Sequence, residues 1–177
     1  MIKRRCNPLP RMFMAMLVLW AAGILNTAAA NQPAVKAKDE VVKVVYHADF
    51  ADPRRFSAML TNIHNMVSTY QAELKEYDVR IVFVSYGIRF VTQDKLAGTP
   101  FAEDAALKRR RADLLARLAT LRDTEGVKLE LCEITREAVH LPNEKIISGV
   151  ALVPSGVARI AAVRQVLSLD SSRPSGT

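Results

Sequence analysis

The chain has 177 residues, half of them apolar and 24% charged, which is the balance of an ordinary folded domain. Two cysteines exclude both a disulfide framework and a tetrathiolate zinc site. Of the net charge of +7, four units come from Lys3, Arg4, Arg5 and Arg11; without them 21 basic side chains face 18 acidic ones, too small an excess to argue for a nucleic-acid partner.

After the basic start, Met12 to Leu25 read MFMAMLVLWAAGIL without a charge, and small residues follow as far as Ala28-Ala29-Ala30. A charged start, a short apolar stretch and an A-x-A site describe a secretory signal peptide over residues 1–30, with cleavage expected after Ala30. The apolar run is 14 residues long. A spanning helix needs about 20, so no stable membrane insertion is expected after cleavage. The mature protein is expected in the periplasm or secreted, with residues 31–40 (NQPAVKAKDE) as a polar linker. Cys6 leaves with the signal, so the mature chain keeps one thiol, Cys132.

The domain is expected over 41–169. VVKVVYHA, Val41 to Ala48, reads as a buried first strand. Asp52-Pro53 opens a helix, with Phe56, Met59, Leu60, Ile63, Val67, Tyr70 and Leu74 as its apolar stripe. Val79 to Ser85 is a second strand that ends at Tyr86-Gly87. Thr99-Pro100 is expected to start another helix, with Glu103 and Asp104 near its positive end and Leu107, Leu114, Leu118 and Leu121 on its apolar face. It carries through to about Arg122.

VKLELC, Val127 to Cys132, alternates like a strand with one less buried face. Ile134 to Leu141 reads as a short helix closed by Pro142, and Val150 to Val153 as a fourth strand. Ser155-Gly156 opens a final helix through Val157, Ile160, Val163 and Leu167, and residues 170–177 read as a disordered tail. Alternation of this kind calls for an α/β fold, a three-layer α/β/α domain with a mostly parallel sheet of four to five strands.

In such a sheet, chemistry gathers beyond the carboxyl ends of the strands. Those ends carry His47 and Asp49, Ser85 to Gly87, Cys132 to Thr135, and Pro154 to Gly156. Cys132 leads because it ends a strand just ahead of a helix, whose backbone amides favour a thiolate; Arg136 would add to this and Glu133 oppose it. The plainer reading is a buried thiol acting as a small apolar residue. His47 is a weaker candidate, His64 reads as a solvated surface histidine, and His140 as a residue near helix-terminal carbonyls. Three scattered histidines and one cysteine lack metal-ligand spacing, so no metal and no cofactor are expected. Lys108-Arg109-Arg110-Arg111 reads as a solvated helix face with i,i+4 pairs to Asp113 rather than as a nucleic-acid patch. Ser155-Gly156 suits either an anion site or a simple cap, with the cap favoured.

Four segments, VVYHADFADPRRFSAMLTNIHNMV, VFVSYGIRFV, CEIT and GVALVPSGVARIAAVRQ, together resemble the DsrE/DsrF-like (YchN-like) family of small sulfur-relay proteins. The resemblance runs from Val41 to about Leu167, and Cys132 with Thr135 resembles the family's Cys-x-x-Thr position. It implies a three-layer domain that forms homotrimers or homohexamers. It also implies a cysteine, here Cys132, that carries persulfide sulfur between donor and acceptor proteins, with Thr135 and the loop at Tyr86-Gly87 lining its pocket. The long helix up to Arg122 and the lack of a strand after the last helix depart from the compact members. Three classes of function follow: an exported sulfur carrier, a non-catalytic oligomeric binding module with a structural cysteine, and a thiol-redox sensor that pairs between subunits.

Overall fold

The structure, a computed structural model, describes residues 41–170; the expected signal segment, the linker and all of the expected tail but Asp170 lie outside them. Four strands form one sheet, β1 (Val42–Ala48), β2 (Tyr77–Phe83), β3 (Lys128–Cys132) and β4 (Val150–Val153), in the order β1-β2-β3-β4. All three pairings are parallel, with His47 opposite Val82, Val82 opposite Glu130, and Cys132 opposite Val153. The α/β class is therefore the one expected.

Helices α1 (Pro53–Ala72) and α2 (Ala105–Asp123) connect successive strands, while the short α3 (Glu133–Ala138) follows β3 and α4 (Gly156–Asp170) follows β4. Strands that advance in one direction with right-handed crossovers put their connections on the same face. That face is the apolar one: Val44, Tyr46, Val79, Ile81, Phe83, Leu129, Leu131 and Leu152 pack with Phe56, Leu60, Ile63, Leu114 and Leu118 in a single core. Phe56 stacks on Phe90 with ring centroids 4.0 Å apart and meets Phe83 edge-on at 6.0 Å. α4 crosses the other face against β1, β2 and β3. Among the described residues the three layers are thus unequal, with the long helices α1 and α2 on one side and α4 on the other.

Local chemistry accounts for most boundaries. Asp52 caps α1 by accepting the Arg54 amide at 2.8 Å, with Pro53 in the first turn. The helix ends earlier than its apolar stripe suggests. Leu74 has φ 54° and is 90% exposed, because it is the left-handed residue of a Schellman closure in which Leu74 and Lys75 donate to Gln71 and Tyr70.

The start of α2 also differs from the expectation at Thr99-Pro100. Thr99 instead folds a turn, donating to the Leu96 carbonyl and accepting the Phe101 amide, and Asp104 caps the helix through the Leu107 amide at 2.8 Å. His140 lies beyond the end of α3, at φ 53°, rather than in its last turn. Arg111 is not part of a solvated face: it turns inward to Glu103 at 2.7 Å and to the carbonyls of Arg89 and Thr92. Asp113 stands 4.0 Å from Arg117, the spacing of a weak surface pair. Val157, expected on the inner face of α4, is 62% exposed.

Candidate functional site

The sheet face under α4 is unusually polar. Alternation from the apolar face assigns Lys43, Val45 and His47, then Asp78, Arg80 and Val82, then Lys128, Glu130 and Cys132 to this side. VKLELC was expected to have one less buried face; instead Glu130 is 5% exposed, and β3 past Lys128 is buried on both faces. The burial is sustained by partners. Arg159 of α4 reaches both Glu130 oxygens at 2.9 Å, and Arg80 reaches one of them while also holding Asp78. Burial pushes the Glu130 carboxyl up, but hydrogen bonds from Arg159 and Arg80 outweigh it and hold it below the usual carboxylate range.

Cys132 stands two residues further on, at the carboxyl end of β3 and at the cap of α3, and is 4% exposed. Burial by itself raises its pKa. Hydrogen bonds from the Gly156 amide, from the Thr135 amide and hydroxyl and from the Ile134 amide act against this and win, so the thiol titrates below its ordinary value. Two chain segments supply these donors, α3 through Ile134 and Thr135, and α4 through Gly156.

Gly156 is the residue that permits the approach. A Cβ there would lie 2.5 Å from Val84 Cγ2 and 3.0 Å from Cys132 Cβ. Ser155 plays the capping part favoured for it, its hydroxyl accepting the Ala158 amide at 3.3 Å. The Ser155-Gly156 pair therefore serves a protein thiol through Gly156 and its own helix through Ser155.

Thr135 is held from the far side. The Ser85 amide donates to its Oγ1 at 3.0 Å, which leaves the hydroxyl proton for the sulfur. Ser85 sits at φ 51°, a left-handed conformation that costs a non-glycine residue about 1–2 kcal/mol. Strain of this sort collects where the surroundings over-determine a local geometry. Two backbone hydrogen bonds make up those surroundings: Val84 donates to the Ala48 carbonyl at 3.0 Å, and Gly87 donates back to Val84 at 2.9 Å. Ser85 was legible only as part of a strand end, since nothing in its type signals a positive φ.

The other expected site residues divide. Gly87 belongs to the supporting loop, while Tyr86 leans edge-on against Phe101 with centroids 5.1 Å apart and stays 39% exposed. Arg136 does not assist the thiol: its guanidinium donates to the Leu141 carbonyl and pairs with Glu133 at 3.6 Å and Glu137 at 3.3 Å. His47 faces Asp49 at 3.9 Å and is level with Glu130 two strands away, which puts it roughly 12 Å from Cys132 at ordinary strand spacing and rise. It is therefore not the thiol's base. His64, read as merely solvated, is bound through Nδ1 to the buried Glu125 at 2.7 Å, in a groove of about 180 Å³ between α1 and α2. Among the described residues there is no cluster of three or more metal-ligating side chains, and no helix is long and apolar enough to cross a membrane.

A thiol pKa lowered by folding has a defined consequence. The folded state gains stability from the thiolate above the unfolded pKa and loses it as pH falls through the folded one. Alkylation of Cys132 by iodoacetamide is accordingly expected to show a pH midpoint below that of a free thiol. Thr135→Val, which removes the hydroxyl and orphans the Ser85 amide, is expected to move that midpoint up. An unchanged midpoint in the valine variant rules out the hydroxyl as a thiolate donor.

No protein-family model matches the chain, and no curated protein matches it. Solved structures do match it, two of them as follows. A protein of unknown function, MTH1491 from Methanobacterium thermoautotrophicum, is similar at 23% identity with a TM-score of 0.51, over 72% of this chain and 94% of that one. The YchN protein from E. coli is similar at 13% identity with a TM-score of 0.39, over 71% of this chain and 92% of that one. At 23% identity, what the chain shares with MTH1491 is the fold.

Proposed function

We propose that this chain carries sulfur as a persulfide on Cys132. The observation behind the reading is the position of Cys132 at the carboxyl end of β3, where α3 begins and Gly156 of α4 closes on it, with its thiol held below the ordinary value. Donors that stabilise a thiolate also suit the anion of a persulfide, which carries the same charge one atom further out. In the loading step the Cys132 thiolate attacks the outer sulfur of a donor persulfide R–S–S–H. A new S–S bond forms, the donor's S–S bond breaks, its electron pair leaves with R–S⁻, and no oxidant is consumed. Attack by an acceptor thiolate on the outer sulfur reverses the process and returns Cys132 to the thiolate. The reading includes export, which the signal-peptide pattern of residues 1–30 suggests, and self-association and protein partners that give and take the sulfur, which the sequence resemblance implies.

A second reading has its own observation. At 4% exposure Cys132 has the burial of a core residue, which favours a structural thiol in an oligomeric binding module. One experiment separates the two. Intact mass of the protein is measured after exposure to inorganic polysulfide, beside Cys132→Ser. The carrier predicts a gain of one sulfur, lost on reduction and absent from the serine variant. No gain, with Cys132 unreactive in the native state and reactive in urea, rejects the carrier and leaves the structural thiol. Cell fractionation and light scattering test export and self-association.

A further inference from the structure

We infer that Arg159, clamped on the buried Glu130 carboxylate, is the positioning residue that holds the first turn of α4 against Cys132 and so sets the charge state of the thiol. The inference rests on the reading of Cys132 as the working group, and concerns how that group is kept anionic.

The geometry is that of two neighbouring ties between a helix and a strand. Glu130 and Cys132 lie on the same face of β3, about 7 Å apart at ordinary strand rise. Gly156 and Arg159 lie one turn apart on α4, about 5 Å along its axis. Gly156 packs so closely on Cys132 that a Cβ there would lie 3.0 Å from the Cys132 Cβ, which sets its amide beside the thiol, and Arg159 gives its guanidinium fork to Glu130 at 2.9 Å on both oxygens. Each tie thus registers the other. The apolar hold on the start of α4 is thin. Gly156 and Ile160 are buried, whereas Val157, Ala158, Ala161 and Ala162 are exposed. A backbone amide lowers a thiol pKa only while it stays within hydrogen-bond distance, so a shift of a few tenths of an ångström in this turn weakens it.

Glu130 suits the task of a fixed post. It is buried in the sheet, and Arg80 holds it from β2, so its carboxylate keeps a partner when Arg159 is altered. The charged and titratable groups around the thiol are Glu130 on β3, Glu133 and Arg136 paired together on α3, Arg80 with Asp78 on β2, Arg159 on α4, and His47 further off on β1. This setting allows a test that separates positioning from direct charge. Taking away the Glu130 charge should lower the thiol pKa if only electrostatics counts, and raise it if α4 is released.

The pH profile of Cys132 alkylation is measured for the native protein, Arg159→Met, Arg159→Lys and Glu130→Gln, with circular dichroism to confirm the fold. Arg159 is 34% exposed, so both of its variants remove little core. All three midpoints are expected to rise, with alkylation at pH 7 slowing several-fold and the limiting rate at high pH retained. The lysine variant keeps the charge but gives up the fork, so an unchanged midpoint there overturns the proposal. A fall of the midpoint in Glu130→Gln overturns it in favour of direct charge. Polysulfide loading of the native protein is read separately. Failure to load with the midpoints shifted rejects the carrier and leaves the positioning role, whereas loading with unshifted midpoints does the reverse.

Discussion

Gly87→Ala is expected to destabilise the domain by about 3 kcal/mol or more, at the severe end of single substitutions. A Cβ at this position would stand 1.9 Å from the Ala48 carbonyl oxygen and 2.9 Å from its carbon. Both are backbone atoms at the end of β1, and the same oxygen accepts the Val84 amide at 3.0 Å, so no rotamer change can make room. The loop after β2 must lift away. Because that loop presents the Ser85 amide to Thr135, the thiol environment should loosen with it. Thermal and urea unfolding followed by circular dichroism is the check, with the melting midpoint lowered by on the order of 10 °C. Gly98→Ala is the comparison, since nothing lies within 4 Å of its Cβ and φ 79° is the only penalty, about 1 kcal/mol. Equal effects of the two substitutions refute the steric account.

Gly156→Ala is expected to act on stability and chemistry together. Alanine is the better helix former by up to about 1 kcal/mol, so propensity alone predicts a gain. Packing reverses the sign: the new Cβ meets Val84 Cγ2 at 2.5 Å, Cys132 Cβ at 3.0 Å and Val82 Cγ1 at 3.3 Å. Two of these atoms belong to stiff β-branched side chains and the third is bonded directly to a strand backbone. Overpacking of this degree costs about 1–3 kcal/mol, relieved by α4 moving off. Its amide then leaves Cys132, and the thiol pKa climbs towards the ordinary value under the burial that remains. Each unit of rise lowers the thiolate population at neutral pH about tenfold. The alkylation pH profile and a urea titration read the two effects. A stabilised variant with an unmoved midpoint shows that Gly156 does not set the approach of α4 to the thiol.

Glu130 shows where a one-dimensional reading fails. Its alternation within VKLELC was correctly a strand signal, and its charge correctly marked the face away from the apolar core. What covers that face is decided by α4, whose Arg159 comes 29 residues later and by itself looks like any surface arginine. The same holds for Arg111, one of four consecutive basic residues, whose partners Glu103, Arg89 and Thr92 belong to the segment before α2. Thr99-Pro100 carried a valid local signal too, but the Thr99 hydroxyl made a turn with it and Asp104 capped the helix.

The sequence by itself determined the alternation of strands and helices, because periodicity, caps and prolines act over a few residues. It also determined that Cys132 ends a strand and begins a helix, since VKLELC and the polar residues after it are contiguous. Only the tertiary structure decided that Gly156 packs against that thiol, that Ser85 accepts a strained φ to fix Thr135, and that Arg136 and His47 are engaged elsewhere. Those facts depend on the order β1-β2-β3-β4, which sets α4 on the second face and brings residues far apart in the chain to one strand end. Hydrogen bonds and burial act over a few ångströms of space, and chain distance does not reveal them.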